Sequence, residues 1–299
     1  MAYIEVGAWS GRSYPQGAVV VGYNGKAHSK AALTWAANEA SGREVPLIVL
    51  FAANYPGMTV EPQAFHHRDP GALQAAEEVT AAGVSEALEA QPALRVLGAT
   101  EVTSPSQALV EASDHAGLVV MGSRGYGRIV GALLGSISFA VASRARCPVV
   151  VVKDEAAART VGPQHHVVVG TDGSDESSAA VNFAAARAVA GATPLEVVTC
   201  TGGHQVSDAD EQGLRAAAQR IAMAAAERVR SSHPTLQVTT HVEDCPPEVT
   251  LVDASARAGL VVVGTRGRGT FEGMLLGSVS HAVIHGASCA VAVVGEGQA

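Results

Sequence analysis

Two glycine-rich stretches carry the residues best suited to chemistry, and each occurs twice. The first is a short turn, Gly22 to Gly25 (GYNG) and Gly170 to Gly173 (GTDG). The second is a longer loop with the spacing G-x2-G-x9-G-S, from Gly122 to Ser136 and from Gly264 to Ser278. Gly125 and Gly267 let the backbone approach a phosphate closely. Gly135-Ser136 and Gly277-Ser278 are placed to begin a helix, where unpaired N–H groups and the helix dipole favour an anion. Ser136, Ser138, Ser278 and Ser280 add hydroxyl groups, and Arg124 and Arg266 add positive charge at matched positions. The chemistry implied is the holding of a phosphate. A plainer reading stands beside it, in which the glycines only shape a tight loop and Ser136 and Ser278 only cap helices.

The elements that would position these loops follow from an internal repeat. Gly122 to Val152 (GSRGYGRIVGALLGSISFAVASRARCPVVVV) matches Gly264 to Val294 (GTRGRGTFEGMLLGSVSHAVIHGASCAVAVV) without a gap, an offset of 142. The strand before the first turn matches as well, AVVVGYNG at 18 to 25 against HVVVGTDG at 166 to 173, an offset of 148. The chain therefore reads as two copies of one domain, 17–153 and 165–299, joined by a polar linker at 154–164 containing Gly162 and Pro163. Residues 1–16 match nothing in the second copy and read as an N-terminal tail. The length of 299 residues agrees with two domains at roughly 100 to 200 residues each.

Within each copy, short β-branched runs alternate with helical stretches. The first copy has strand patterns at 18–21, 47–52, 94–102, 118–121 and 149–152, and helix patterns at 29–41, 72–90, 106–115 and 136–143. The second copy repeats the strands at 167–170, 195–200, 236–242, 260–263 and 290–294. Runs apolar on both faces, alternating with helices, indicate a parallel sheet covered on both sides. The expected fold is α/β: two repeated doubly wound domains, each a five-stranded parallel sheet of order 3-2-1-4-5. In that order strands 1 and 4 are neighbours, and both glycine stretches meet at the switch point where open sheets bind ligands.

At this point the residues resemble the universal stress protein family in its tandem-domain, ATP-binding form. The loop G-x2-G-x9-G-[ST] after strand 4, with Met121-Gly-Ser-Arg-Gly125 and Val263-Gly-Thr-Arg-Gly267, is similar to that family's ATP-binding signature. The resemblance covers nearly the whole chain after residue 16. It implies that an aspartate after strand 1 holds the nucleoside, that the backbone ending strand 2 contacts adenine, and that the glycine loop holds the phosphates. In the second copy these are Asp172 with Gly173, Cys200, and the loop Gly264 to Ser280, including Arg266, Gly267, Gly277, Ser278, Val279 and Ser280. In the first copy they are Asn24, Ala52, and Gly122 to Ser138, including Arg124, Gly125, Gly135, Ser136, Ile137 and Ser138. The resemblance also implies ATP, with or without magnesium, as the ligand, a role in stress or growth adaptation, and an unidentified protein partner. Asn24 departs from the family's aspartate, and a neutral amide accepts a weaker hydrogen bond than a carboxylate. The first site is expected to be the weaker. Asn-Gly and Asp-Gly also suit a tight turn on their own account.

Other function classes find less support. A formal charge of −8, from 28 acidic and 20 basic residues, supplies no basic field for nucleic acid or an anionic membrane. No run of about 18 apolar residues exists and the first residues lack a signal-peptide pattern, so a soluble cytoplasmic protein is expected. Lys26 lies in no GxxxxGK[ST], and GYNGKA and GTDGSD lack the GxGxxG of a dehydrogenase. An ATP holder that is not an enzyme is the leading expectation, against a slow ATP hydrolase or an interaction scaffold with one or both clefts empty. The four cysteines, 147, 200, 245 and 289, form no CxxC pair and read as reduced thiols. His281 and His285 lie four apart on a helix, but with no third ligand in sight no metal is assigned. Apolar fifth strands at the sheet edges suggest pairing of the copies and a homo-oligomer, expected as a dimer of tandem chains.

Overall fold

Valine-rich runs too short for helices form the strands, and alanine-rich stretches between them form the helices that cover the sheet. The computed structural model describes residues 6–8, 14–52, 70–123, 136–153, 159–202, 208–267 and 275–298. The chain divides into two compact units, with the break between Lys153 and Arg159.

The first unit runs β1 (Val6–Ala8), β2 (Val19–Gly22), α1 (Ala27–Arg43), β3 (Leu47–Ala52), α2 (Pro70–Ala90), β4 (Val96–Glu101), α3 (Pro105–Ala112), β5 (Leu118–Gly122), α4 (Ser136–Arg144) and β6 (Val149–Val152). Its strands lie in the order β1-β4-β3-β2-β5-β6, every pair parallel. The expected 3-2-1-4-5 arrangement is present, with one strand added. That strand is a correction to the reading of residues 1–16 as a tail: Val6, Gly7 and Ala8 pair with Gly98, Ala99 and Thr100 on the open edge of β4. Three residues are too few to show an alternating pattern, and their strand state depends on the unpaired N–H and C=O groups that β4 offers.

The second unit runs β7 (His166–Gly170), α5 (Asp175–Ala190), β8 (Leu195–Cys200), α6 (Asp208–Ser232), β9 (Val238–Glu243), α7 (Pro247–Ala254), β10 (Ala258–Gly264), α8 (Ser278–Gly286) and β11 (Ala290–Val294). The order is β11-β10-β7-β8-β9, again all parallel. Here the outermost strand β9 reads VTTHVE and is largely exposed, whereas its counterpart β4, flanked by β1, is buried over Val96 to Thr100. Threonines suit a strand that faces water.

The core of each unit lies on both faces of its central strands. Val19, Val20 and Val21 of β2 and Val167, Val168 and Val169 of β7 are fully buried. At about 1.5 to 3 kcal/mol per buried valine or leucine side chain, these strands supply much of the drive to fold. Alanines 32, 36, 37 and 40 of α1 and alanines 180, 184, 185 and 188 of α5 are buried against them, and their small side chains let each helix sit close to the sheet. None of the described helices is long and apolar enough to cross a membrane.

Candidate functional site

In the second unit the chain leaves β7 at Gly170 and turns through Thr171, Asp172 and Gly173 into α5. Gly173 has φ +78°, a backbone state in which a side chain is strained. The turn is braced by its own polar groups. The Thr171 and Ser177 hydroxyls lie 3.0 Å apart, and the Gly173 N–H donates to Thr171 Oγ1 at 3.2 Å. Asp172 Oδ1 accepts from the Ser174 N–H at 3.0 Å and the Ser174 hydroxyl at 2.6 Å. The carboxylate is therefore fixed in orientation, with Oδ2 toward the end of β10. A Cβ on Gly267 would lie only 2.5 Å from Oδ2. That closeness gives glycine a reason besides phosphate approach, since a side chain at 267 would push the Asp172 carboxylate from its place.

The end of β10 is drawn against its neighbours in the same way. A Cβ on Gly264 would come within 3.2 Å of the Glu176 backbone in the first turn of α5. The Ser280 hydroxyl donates to the Gly264 carbonyl at 2.6 Å, and the Gly277 N–H donates to the Thr265 carbonyl at 2.8 Å. These two bonds seat the start of α8 on the end of β10. Gly277 is the N-cap of α8 and offers no side-chain cap, so among the described residues no capping side chain takes up the first-turn amides of Ser278, Val279 and Ser280. The Ser280 hydroxyl, expected to be a donor to an anion, instead donates to Gly264, because at 4% exposure it must pair within the protein. Arg266 is half exposed at the mouth, its Nη2 3.3 Å from Glu176 Oε1.

These pieces enclose one cleft of about 410 Å³. Asp172, Arg266, Gly267 and the start of α8 form its polar parts, while Val198, Pro247, Leu251 and Val263 form its apolar walls, with Cys200 among them at the end of β8. Leu251 packs over the turn, where a Cβ on Gly170 would meet its Cδ1 at 2.8 Å.

The first unit places Asn24, Ala52, Gly122, Ile137 and Ser138 around a corresponding cleft. Asn24 Oδ1 accepts from the Lys26 N–H at 3.1 Å, and the Asn24 N–H donates to Ser29 Oγ at 3.2 Å. Ser138 is 1% exposed, and its hydroxyl donates to the Gly122 carbonyl at 3.3 Å, repeating the Ser280 arrangement. Where the second unit has Thr171, this one has Tyr23, a buried ring whose hydroxyl is pushed up to about 12 by burial and by Glu86. Arg124, Gly125 and Gly135 lie outside the described residues.

Comparison with known proteins gives the same division of the chain. The profile of the universal stress protein family matches it twice, over residues 17–153 and 164–295. The chain belongs to the universal stress protein family. A universal stress protein of Mycobacterium tuberculosis is 36% identical over 288 residues, covering 93% of this chain and 97% of the relative. One of Mycolicibacterium smegmatis is 34% identical over 296 residues, covering 92% and 96%. The crystal structure of a universal stress protein from Archaeoglobus fulgidus covers 95% of this chain and 100% of its own, with a TM-score of 0.69 at 21% identity, a likeness of fold. Two domains of the family thus stand in tandem.

Of the residues expected from the sequence, Asp172, Cys200, Gly264, Arg266, Gly267, Gly277, Ser278, Val279 and Ser280 line one cleft; Gly173 and Ser136 stand beside the clefts rather than in their walls. Sequence reasoning missed Thr171, Glu176 and Leu251. Leu251 had a signal: Leu109 stands 142 residues earlier and packs over Gly22 as Leu251 packs over Gly170.

Proposed function

We propose that the protein binds ATP in the cleft of its second unit and acts as a nucleotide-dependent regulator in stress or growth adaptation, holding the nucleotide without turning it over. One observation carries this reading: an oriented carboxylate, apolar walls and an uncapped helix N-terminus meet in a single cleft of about 410 Å³, within the size of ordinary small-molecule sites, about 300 to 1,000 Å³. Each part suits one part of a nucleotide. Asp172 accepts hydrogen bonds from a ribose diol, and a charged acceptor makes the stronger bond. Val198, Pro247 and Leu251 offer apolar surface for a base, beside the backbone of Cys200. The amides of Ser278 to Ser280 and the dipole of α8 favour the phosphates. A magnesium ion would arrive on the phosphate oxygens, with the exposed Ser278 hydroxyl as a nearby oxygen ligand. The groups described at this end, amides and hydroxyls, hold charge rather than move protons, which favours binding over hydrolysis.

The test replaces Gly277 by Asp, setting a carboxylate where phosphate oxygens would lie. Repulsion and steric block are expected to weaken ATP at least tenfold, about 1.4 kcal/mol, in calorimetry on the full chain. Indistinguishable titrations of wild type and G277D would show the site to be elsewhere. Mass spectrometry of nucleotide copurifying with the wild type gives an independent reading of the ligand.

A further inference from the structure

The segment joining β9 to α7 brings a second thiol to the rim of the second cleft. Cys200 is the last residue of β8 and lines the cleft. In register it stands opposite Glu243, the last residue of β9. From there the chain passes through Asp244, Cys245 and Pro246 into α7, whose Pro247 and Leu251 line the same cleft. The passage is tied to the residue after Cys200: the Thr201 N–H donates to the Glu243 carbonyl at 3.0 Å, and the Thr201 hydroxyl donates to the Asp244 carboxylate. Thr250, in the first turn of α7, returns its hydroxyl to the Pro246 carbonyl at 3.3 Å. So the short link that carries Cys245 is pinned beside the end of β8, next to Cys200.

Two further facts set this pair apart. Cys245 is exposed and Cys200 partly so, whereas Cys147 and Cys289 are buried at 5% and 0% exposure. At the matched positions the first copy has Ala52 and Thr103, so the thiols belong to the second cleft and not to the repeat.

We propose that Cys200 and Cys245 are a reversible oxidative modification site, forming a disulfide with a hydroperoxide as the two-electron oxidant, and that the disulfide weakens nucleotide binding in the second cleft. The binding half rests on the ATP reading above. Cys245, open to solvent, reacts first: its thiolate attacks one peroxide oxygen, giving a sulfenic acid and hydroxide. The Cys200 sulfur then attacks the sulfenic sulfur and water leaves, so that two thiols and one hydrogen peroxide become one disulfide and two waters. Burial pushes the Cys200 thiol up, with Thr250 pulling it down and Glu243, Cys245 and Glu248 adding to the rise. A thiol raised in this way offers less thiolate for attack on peroxide, which leaves the exposed Cys245 to react first and Cys200 to resolve. Closing the bond requires the two Cα atoms within about 7 Å. Holding the link at that distance fixes Pro246 and Pro247 against the end of β8, at the wall assigned to the base. A dithiol reductant reverses the step by exchange.

The experiment uses the full chain. After hydrogen peroxide, alkylation and trypsin, the expected product is peptide 188–215 joined to peptide 231–257, two hydrogens lighter than their sum. The denatured thiol count should fall from four to two. Calorimetry should show ATP bound at least tenfold more weakly after oxidation and restored by dithiothreitol. C245S should bind ATP as the reduced wild type does and ignore peroxide. Four thiols surviving peroxide, a linked peptide with unchanged ATP affinity, or a C245S chain that still loses affinity on oxidation would each overturn the proposal. If the reduced wild type binds no ATP, the reading of the cleft falls, and the peptide map alone decides whether the disulfide forms.

Discussion

Glu101 closes β4 near the first cleft, and its environment opposes its charge. Burial, then the field of Glu111, pushes its carboxyl from 4.5 up to about 7, with a hydrogen bond from the Tyr14 hydroxyl at 3.5 Å pulling the other way. The folded state then holds a proton that the unfolded state releases between these two values, so this residue's contribution makes stability fall as pH rises from 4.5 to 7. E101Q removes that term. After allowance for solvent screening of a half-exposed group, the variant should gain about 1 kcal/mol over wild type above pH 7, a gain that shrinks toward pH 5. Urea titrations at pH 5 and pH 8 check this, and equal differences at both would contradict it. Glu196 has the opposite fate. Burial alone would raise it, but His166 at 2.7 Å and the Arg257 guanidinium at 2.7 Å hold it below the usual range. Nothing in the run LEVVTC announces this. The repeat sets Ile48 at the same place, and only the meeting of β7, β8, β9 and the start of β10 supplies partners for a charge 6% exposed, His241 of β9 standing 4.0 Å away.

At the scale of elements, the two copies solve one packing problem in two ways. The Tyr23 ring lies against α2 where Gly83 leaves room: a Cβ there would meet the ring at 2.7 Å and Val49 at 2.8 Å. The second copy has Thr171 in place of Tyr23, and Ala225, at the 142-residue offset, in place of Gly83. Gly83→Ala should therefore destabilise the chain by about 1 to 3 kcal/mol through overpacking, despite alanine's higher helix propensity. Adding Tyr23→Thr should recover part of that loss, since the two residues share a contact. A double-mutant cycle of denaturation midpoints measures the coupling, and strict additivity would show that the pair is not matched. Glycine inside a helical pattern was visible in the sequence; its reason was not, because the ring it accommodates comes from the turn after β2, sixty residues earlier.

For the whole molecule, the copies are expected to bind ATP unequally. The second turn presents Asp172, with Asp175 and Glu176 behind it; the first presents Asn24, Lys26 and His28. A hydrogen bond to a charged acceptor is worth roughly 1.5 to 3 kcal/mol, so the first site should bind at least about tenfold more weakly. Calorimetry on the full chain should resolve one tighter site, and D172N should reduce it toward the weaker. Two equal sites in the wild type would refute the assignment of Asp172 as the distinguishing group.

The sequence alone determined the duplication, the strand and helix succession, the order of the five repeated strands and the location of the clefts. These rest on signals that are local or repeated: β-branched runs, helical stretches between them, and glycine spacings kept at a constant offset. Tertiary structure decided what each polar group does. Ser138 and Ser280 donate to carbonyls of their own strand ends, Arg266 pairs with Glu176, and Gly267 makes room for Asp172. It also decided that Val6–Ala8 joins the sheet. The physical reason is the same in each case: a hydrogen bond, an ion pair or an edge pairing needs a partner brought from elsewhere in the chain, and residue spacing does not name that partner.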